Sequence, residues 1–196
     1  MKIVLASTSR YRRELVGRLG LHVECAAPPY DETSARRALG PVPVADVVRA
    51  LARGKALSLG ESHPDALIVG ADQLGEVDGE ALGKPGTEPA ARDQLRRLAG
   101  REHRLYTAVC VYQPATGRTE EALDVHRLAM RDLTDEAIAD YVTRDRPLDC
   151  AGAYKVESLG IALFERVSGD DFTAVVGLPL TALVGLLGRF GVRVLG

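Results

Sequence analysis

Apolar positions along the chain fall into short runs and helical stripes, separated by glycine, proline and acidic turns. Ile3, Val4, Leu5 and Ala6 form a run that breaks into Ser7-Thr8-Ser9, after which Tyr11, Leu15, Val16 and Leu19 recur at three- and four-residue spacing until Gly20. This predicts a buried strand, a tight turn, and a helix capped by one of the three hydroxyls. A second strand is expected over His22 to Ala26, followed by a rigid acidic turn at Pro28-Pro29-Tyr30-Asp31-Glu32-Thr33. From Pro43, residues Val44, Val47, Val48, Leu51 and Leu59 share one helical stripe, and Lys55 falls on it. Two readings of Lys55 are open: its stem snorkels along the core, or its ammonium reaches into a cleft for phosphate.

Ala66 to Ala71 reads as a central strand buried on both faces, closed by Asp72 and Gln73. Val77-Asp78-Gly79-Glu80 carries a hairpin signal and returns the chain through Gly83-Lys84-Pro85. Thr87 caps a helix that runs through Gln94, Leu95 and Leu98 to Gly100. Leu105 to Tyr112 and Leu123 to Met130 are two strands joined through Pro114 to Gly117, and Thr134 starts a helix carrying Ile138, Tyr141 and Val142. The stretch Cys150 to Gly160 is rich in small residues, which permit close backbone approach around Lys155 and Glu157. A strand is expected over Ile161 to Phe164, an acidic turn at Ser168 to Asp171, a tight apolar entry at Val175 to Leu180, and a closing helix over Thr181 to Phe190. With no internal repeat or long linker, the chain is expected to form a single domain over residues 1–196, in two lobes that interleave.

Charge changes this picture at one place. The net charge is −2, from 25 basic and 27 acidic residues, so nothing drives the whole chain toward nucleic acid and any anion site is local. Arg10, Arg12 and Arg13 crowd the first turn of the first helix, where the macrodipole is already positive and each cation costs roughly 0.3–1 kcal/mol. A strand ending in hydroxyls, amides exposed at a helix start and three guanidiniums together describe a polyphosphate corner. In an open α/β sheet the ligand crevice lies beyond the carboxyl ends of the strands, so Asp72 and the Ser7 to Arg13 segment can share it. Carboxylates suit a hard divalent ion such as Mg²⁺ or Mn²⁺, and no His or Cys cluster argues for zinc. Cys25, Cys110 and Cys150 form no CxxC pair and are expected as buried thiols in a reducing compartment. The opening has no signal-peptide pattern and no run is apolar enough to span a bilayer, which places the chain in the cytoplasm, away from membranes.

Taken together, Leu5-Ala6-Ser7-Thr8-Ser9 with Arg12-Arg13, Asp31-Glu32-Thr33, Lys55, Gly70-Ala71-Asp72-Gln73, Gly83-Lys84-Pro85, Cys150-Ala151-Gly152, Lys155 with Glu157, and Val176-Gly177-Leu178-Pro179-Leu180 resemble the Maf family of nucleotide pyrophosphatases. The matches span nearly the whole chain in order. The resemblance implies an α/β fold like that of the Maf and inosine-triphosphatase proteins: a mixed twisted sheet with flanking helices and a nucleotide cleft between two lobes. It also implies a divalent metal, a homodimer, and hydrolysis of nucleoside triphosphates to monophosphate and pyrophosphate. On this basis Ser7, Arg12, Arg13, Lys55, Lys84 and Lys155 hold the substrate, Glu32 and Asp72 hold the metal, and Asp72 is the catalytic base.

Gln73 and Glu157 look like the subgroup acting on 7-methyl-GTP, where the dTTP/UTP subgroup typically has Thr and Gln. A carboxylate can accept from both donors of a guanine edge, and the Tyr11 ring can stack on a cationic methylated purine. Three residues depart from the pattern: Arg10 stands where Pro is frequent, Tyr11 where Trp is frequent, and Ser158 where Gly usually follows the glutamate. A pyrophosphatase for dTTP, UTP or modified pyrimidine nucleotides and a non-catalytic nucleotide-binding regulator of cell division are the alternatives.

Overall fold

A strand-turn-helix unit opens the chain, as the apolar pattern requires. In the computed structural model, which describes residues 1–195, β1 spans Lys2–Ala6 and α1 Arg10–Gly17. The further elements are β2 (Val23–Ala26), α2 (Glu32–Leu39), α3 (Val44–Leu57), β3 (Ala66–Val77), β4 (Glu80–Leu82), α4 (Glu88–Leu98), β5 (Glu102–Gln113), β6 (Arg118–Met130), α5 (Asp135–Asp145), β7 (Phe164–Ser168), α6 (Phe172–Val176) and α7 (Leu180–Arg189). One mixed sheet of seven strands runs in the order β2-β1-β3-β5-β6-β7, with β4 beside β3. Strand β1 is parallel to both β2 and β3, with Leu5 opposite Cys25 and Val69.

The chain forms two compact units. The first comprises Met1–Asp72, Thr107–Asp124 and the segment from Asp171 onward; the second comprises Gln73–Tyr106 and Val125–Asp170. In the first unit the pleat sends Ile3, Leu5, Leu67, Val69 and Ala71 to one face, where they meet Leu15 and Val16 of α1 and Leu183, Leu186 and Leu187 of α7. The opposite face takes α3. There Gly70 brings the two backbones together: a Cβ on it would lie 2.1 Å from the Ala52 carbonyl oxygen and 2.7 Å from the Ala56 nitrogen.

In the second unit, α4 and α5 pack together, and His103, Tyr154 and Phe164 form an aromatic cluster with ring centroids 4.9 to 6.0 Å apart. Burial pulls the His103 imidazole down to about 4, so at neutral pH it is an uncharged partner for the Tyr154 hydroxyl at 2.9 Å.

Several elements differ from the sequence expectation. Strand β3 does not close at Asp72 and Gln73 but continues to Val77, because Leu74 and Val77 are buried and β4 supplies new ladder partners. The acidic turn is the start of α2: Asp31 is its N-cap, accepting from the Thr33 and Ser34 amides at 3.0 Å. None of the α2 side chains is fully buried, and its apolar positions, Ala35, Ala38 and Leu39, form too short a stripe to stand out. Residues Leu159–Leu163 form a 3₁₀ segment, and β7 begins only at Phe164. The short helix α6 was concealed in the acidic turn and the apolar entry. Of the cysteines, all free, Cys110 is buried, its thiol pushed up to about 12 by burial and by Glu121, whereas Cys25 and Cys150 are half-buried.

Asp171 caps α6 and clamps the turn into α7. Its Oδ1 accepts from the Thr173 amide and hydroxyl, its Oδ2 accepts from the Thr181 amide at 2.8 Å, and the Thr173 hydroxyl oxygen accepts from the Leu180 amide. Burial opposes ionisation of this carboxyl, but the bonds from Thr173 and Thr181 prevail and hold it below its ordinary value.

Two tests follow from this packing. Gly70→Ala should cost about 1–3 kcal/mol or more in urea denaturation, because a backbone carbonyl leaves the new methyl no room. The Asp171 contribution is complete above an ordinary carboxylate pKa of about 4 and is lost as pH falls through the lower folded value. Asp171→Ala should therefore destabilise by about 1–2 kcal/mol at neutral pH, with the gap shrinking in urea titrations below about pH 4.

Candidate active site

The site begins where β1 ends. Ser7 is buried, and its Oγ accepts from the Ser9 amide at 3.1 Å, tightening the turn. Of the three hydroxyls, Ser9 is the N-cap of α1, with its Oγ facing the Arg12 amide. Among the described residues the first turn of α1 carries no acid to offset its three arginines. Arg12 is half-buried, and its Nε donates to the Gly177 carbonyl at 2.9 Å. Burial pulls its pKa down, and the charges of Asp72 and Glu32 pull it up. Arg13 is exposed. Arg10 lies over the Tyr11 ring, 4.7 Å from its centroid, and donates to the Tyr11 hydroxyl at 2.8 Å. The ring expected to stack on a substrate base thus already carries a cation.

The close approach at Gly70 sets the second part. It presses α3 onto β3, so that Lys55 Nζ reaches Asp72 Oδ1 at 2.7 Å and Glu32 Oε1 at 3.0 Å. The Lys55 stem lies in the core stripe of α3, and its buried ammonium pairs with the two carboxylates. The Lys55 and Asp72 side chains are 6% and 7% exposed, against 45% for Glu32. Isolating either buried charge would typically cost about 3–5 kcal/mol, which binds the two into one unit. Asp72 Oδ2 is buried without a hydrogen-bond partner. A buried orphan acceptor of this kind costs about 1–3 kcal/mol, and a ligand that filled its vacant lone pairs would recover that energy.

Tyr30 completes the surroundings. Its ring lies where a Cβ on Gly54 would be, 2.2 Å from Cζ, so the missing side chain at Gly54 is the seat of the ring. Burial raises the phenol pKa, with Glu32 and Asp72 adding to the rise.

Ser7, Arg12, Lys55, Glu32 and Asp72 all belong to the first unit, and contacts or charge interactions join the last four. Gln73, Lys84, Lys155 and Glu157 belong to the second. Lys84 and Glu157 are exposed and Gln73 is half-buried. Lys155, expected to hold substrate, is instead buried, and its ammonium donates to the backbone carbonyls of Asp145 and Arg146. Both carbonyls belong to the second unit.

Sequence reasoning missed three contributors: Gly177, whose carbonyl aims Arg12; Asp171, whose clamp holds the following turn; and the Tyr30–Gly54 contact. The first had a signal in Val176-Gly177-Leu178-Pro179-Leu180, since glycine there permits a φ of 126°, closed to other residues. The second had one in the Asp171-Phe172-Thr173 capping pattern. The third had none, because it joins residues far apart in sequence.

Comparison with known proteins gives the family. A protein of Syntrophotalea carbinolica named 7-methyl-GTP pyrophosphatase is 47% identical over 99% of this chain and 97% of its own length. One of the same name from Chromobacterium violaceum is 45% identical over the full length of both. Among solved structures, the Staphylococcus aureus Ham1 protein superposes with a TM-score of 0.49 at 15% identity, covering 67% of this chain and 73% of that one. The family of Maf-like proteins matches residues 2–190, which include every residue of the site, and the chain belongs to that family.

Proposed function

We propose that this protein is a nucleoside triphosphate pyrophosphatase that hydrolyses 7-methyl-GTP to 7-methyl-GMP and pyrophosphate, clearing a modified nucleotide. The observation that carries the reading is Asp72: a buried carboxylate with one oxygen on Lys55 and the other unpartnered, beside Glu32 and under the field of Arg12. Ser7, Arg12, Arg13, Lys55 and Lys84 hold the triphosphate. Asp72 takes a proton from the attacking water, whose oxygen bonds to the α-phosphorus as the bond to the pyrophosphate oxygen breaks. Guanidiniums and ammoniums suit the charge that gathers on such a leaving group.

The donor set suits a divalent cation. Asp72 Oδ2 has free lone pairs, Glu32 is half-exposed and close to the same ammonium, and Mg²⁺ or Mn²⁺ takes one or two carboxylates and completes its shell with phosphate oxygens and water. When bound, the ion would polarise phosphate oxygens and lower the pKa of water.

Gln73 and Glu157 support the choice of base, as do the names of the full-length relatives. The reading carries with it the cytoplasmic location and homodimer that the family resemblance implies. No helix among the described residues is long and apolar enough to cross a membrane. A second reading has one observation in its favour. Arg10 on the Tyr11 ring competes with a cationic purine, which suits an uncharged pyrimidine triphosphate.

A panel of nucleoside triphosphates assayed for pyrophosphate release with and without Mg²⁺ or Mn²⁺ tests both. The highest kcat/KM should fall on 7-methyl-GTP, and a preference for dTTP or UTP would install the second reading. Asp72→Asn, nearly isosteric, should fold and lose roughly 10²- to 10⁴-fold in kcat; near wild-type turnover at saturating metal would remove Asp72 from the chemistry. Glu157→Gln turns one acceptor into a donor facing donors on the guanine edge, so 7-methyl-GTP should lose far more kcat/KM than UTP.

A further inference from the structure

We infer that Lys155 and Ser158 are positioning residues that fix the Glu157 carboxylate by tying both flanks of its loop to the last turn of α5. The inference rests on the proposed function for the role of Glu157, but its geometry lies wholly in the second unit.

The carbonyls at the end of an α-helix have no partner within the helix, and the negative end of its dipole attracts a cation. Helix α5 ends at Asp145, with Arg146 in the left-handed region at φ 45°. The Lys155 ammonium donates to the carbonyls of both residues. Lys155 is tied by its backbone as well, its amide donating to the Tyr141 hydroxyl oxygen at 3.0 Å. Three residues on, the Ser158 hydroxyl donates to Asp145 Oδ1 at 2.7 Å, returning the chain to the same helical turn. The Ser158 amide closes the loop on the Lys155 carbonyl at 3.1 Å. Gly160 seals it, since a Cβ there would lie 2.4 Å from that carbonyl oxygen.

Between the two anchors stand only Val156 and Glu157. Val156 is buried and Glu157 is exposed, so the loop turns one side chain to the core and the other outward. Drawing the Lys155 ammonium away to a phosphate would strip two helix-end carbonyls of their donor, which weighs against that role. Ser158 matters because it stands where the resemblance places glycine: a glycine would keep the turn and lose the tie to Asp145.

The experiment compares Lys155→Met and Ser158→Gly, each alone and combined with Glu157→Gln, in the full chain. It measures kcat/KM for 7-methyl-GTP and for UTP, and inhibition by inorganic pyrophosphate, with thermal melts as the control for folding. A misplaced carboxylate should reduce the preference for 7-methyl-GTP over UTP roughly ten- to a hundredfold in Lys155→Met and less in Ser158→Gly. Inhibition by pyrophosphate should not change, and neither substitution should alter the preference further once Glu157 is Gln.

Equal losses on both nucleotides with weakened pyrophosphate inhibition would make Lys155 a phosphate ligand and overturn the inference. If Lys155→Met does not fold, Ser158→Gly decides: an unaltered preference overturns the inference, and an altered one that vanishes in the Glu157→Gln background upholds it. Failure of the proposed function is visible separately, in the preference of the unsubstituted protein. Even if that preference falls on a pyrimidine, the coupling between Ser158→Gly and Glu157→Gln still reports whether the loop positions the carboxylate.

Discussion

The ion pair between Lys55 and Asp72 is the interaction on which the rest of the site depends. Two charges taken out of water repay their desolvation only at close range, and here the range is 2.7 Å. That distance exists because β3 has no side chain at Gly70, which lets α3 lie against the strand backbone. The same ammonium holds Glu32 at 3.0 Å and so draws the start of α2 toward Asp72. From the other side, Arg12 is aimed by a carbonyl at Gly177, which lies in the turn that Asp171 and Thr173 clamp. Glycines at two points, neither bearing any chemistry, set where the charged groups stand.

The first unit shows why some of this could be read from sequence. Ser7, Arg12, Lys55 and Asp72 were visible because each breaks a pattern: a hydroxyl after a buried run, cations at the wrong end of a helix, a lysine on an apolar stripe, an acid at the close of a core run. Strands β1 and β3 were legible for the complementary reason, since continuous apolar runs bounded by polar turns are what buried parallel strands require. The extension of β3 past Asp72 was not, because its ladder partner β4 lies across a hairpin and polar residues there look like an ending.

Other elements were hidden by the physics that makes them. Helix α2 fully buries no side chain, so its caps are a stronger signal than its short apolar stripe. The Ile161-Ala162-Leu163 run has strand composition, yet it lies in a 3₁₀ segment whose Gly160 passes close to the Lys155 carbonyl. Lys155 shows the limit most clearly. A lysine among small residues gives no sign in the sequence that the carbonyls of Asp145 and Arg146, at the end of the preceding helix, accept hydrogen bonds from it.

The solvated character of α2 has a consequence for how freely the sequence can vary. Asp72 sits in a strand whose preceding residues Leu67, Ile68, Val69 and Ala71 are fully enclosed, so a change beside it must repack a core. Glu32 sits at the head of a helix none of whose side chains is fully buried, although Ala35, Arg36 and Leu39 are half-buried and the helix packs against α3. One acid is carried by the least substitutable segment of the first unit and the other by one of its most permissive. Redesign of the acidic pair, in the laboratory or in descent, therefore has far more room on the side of Glu32.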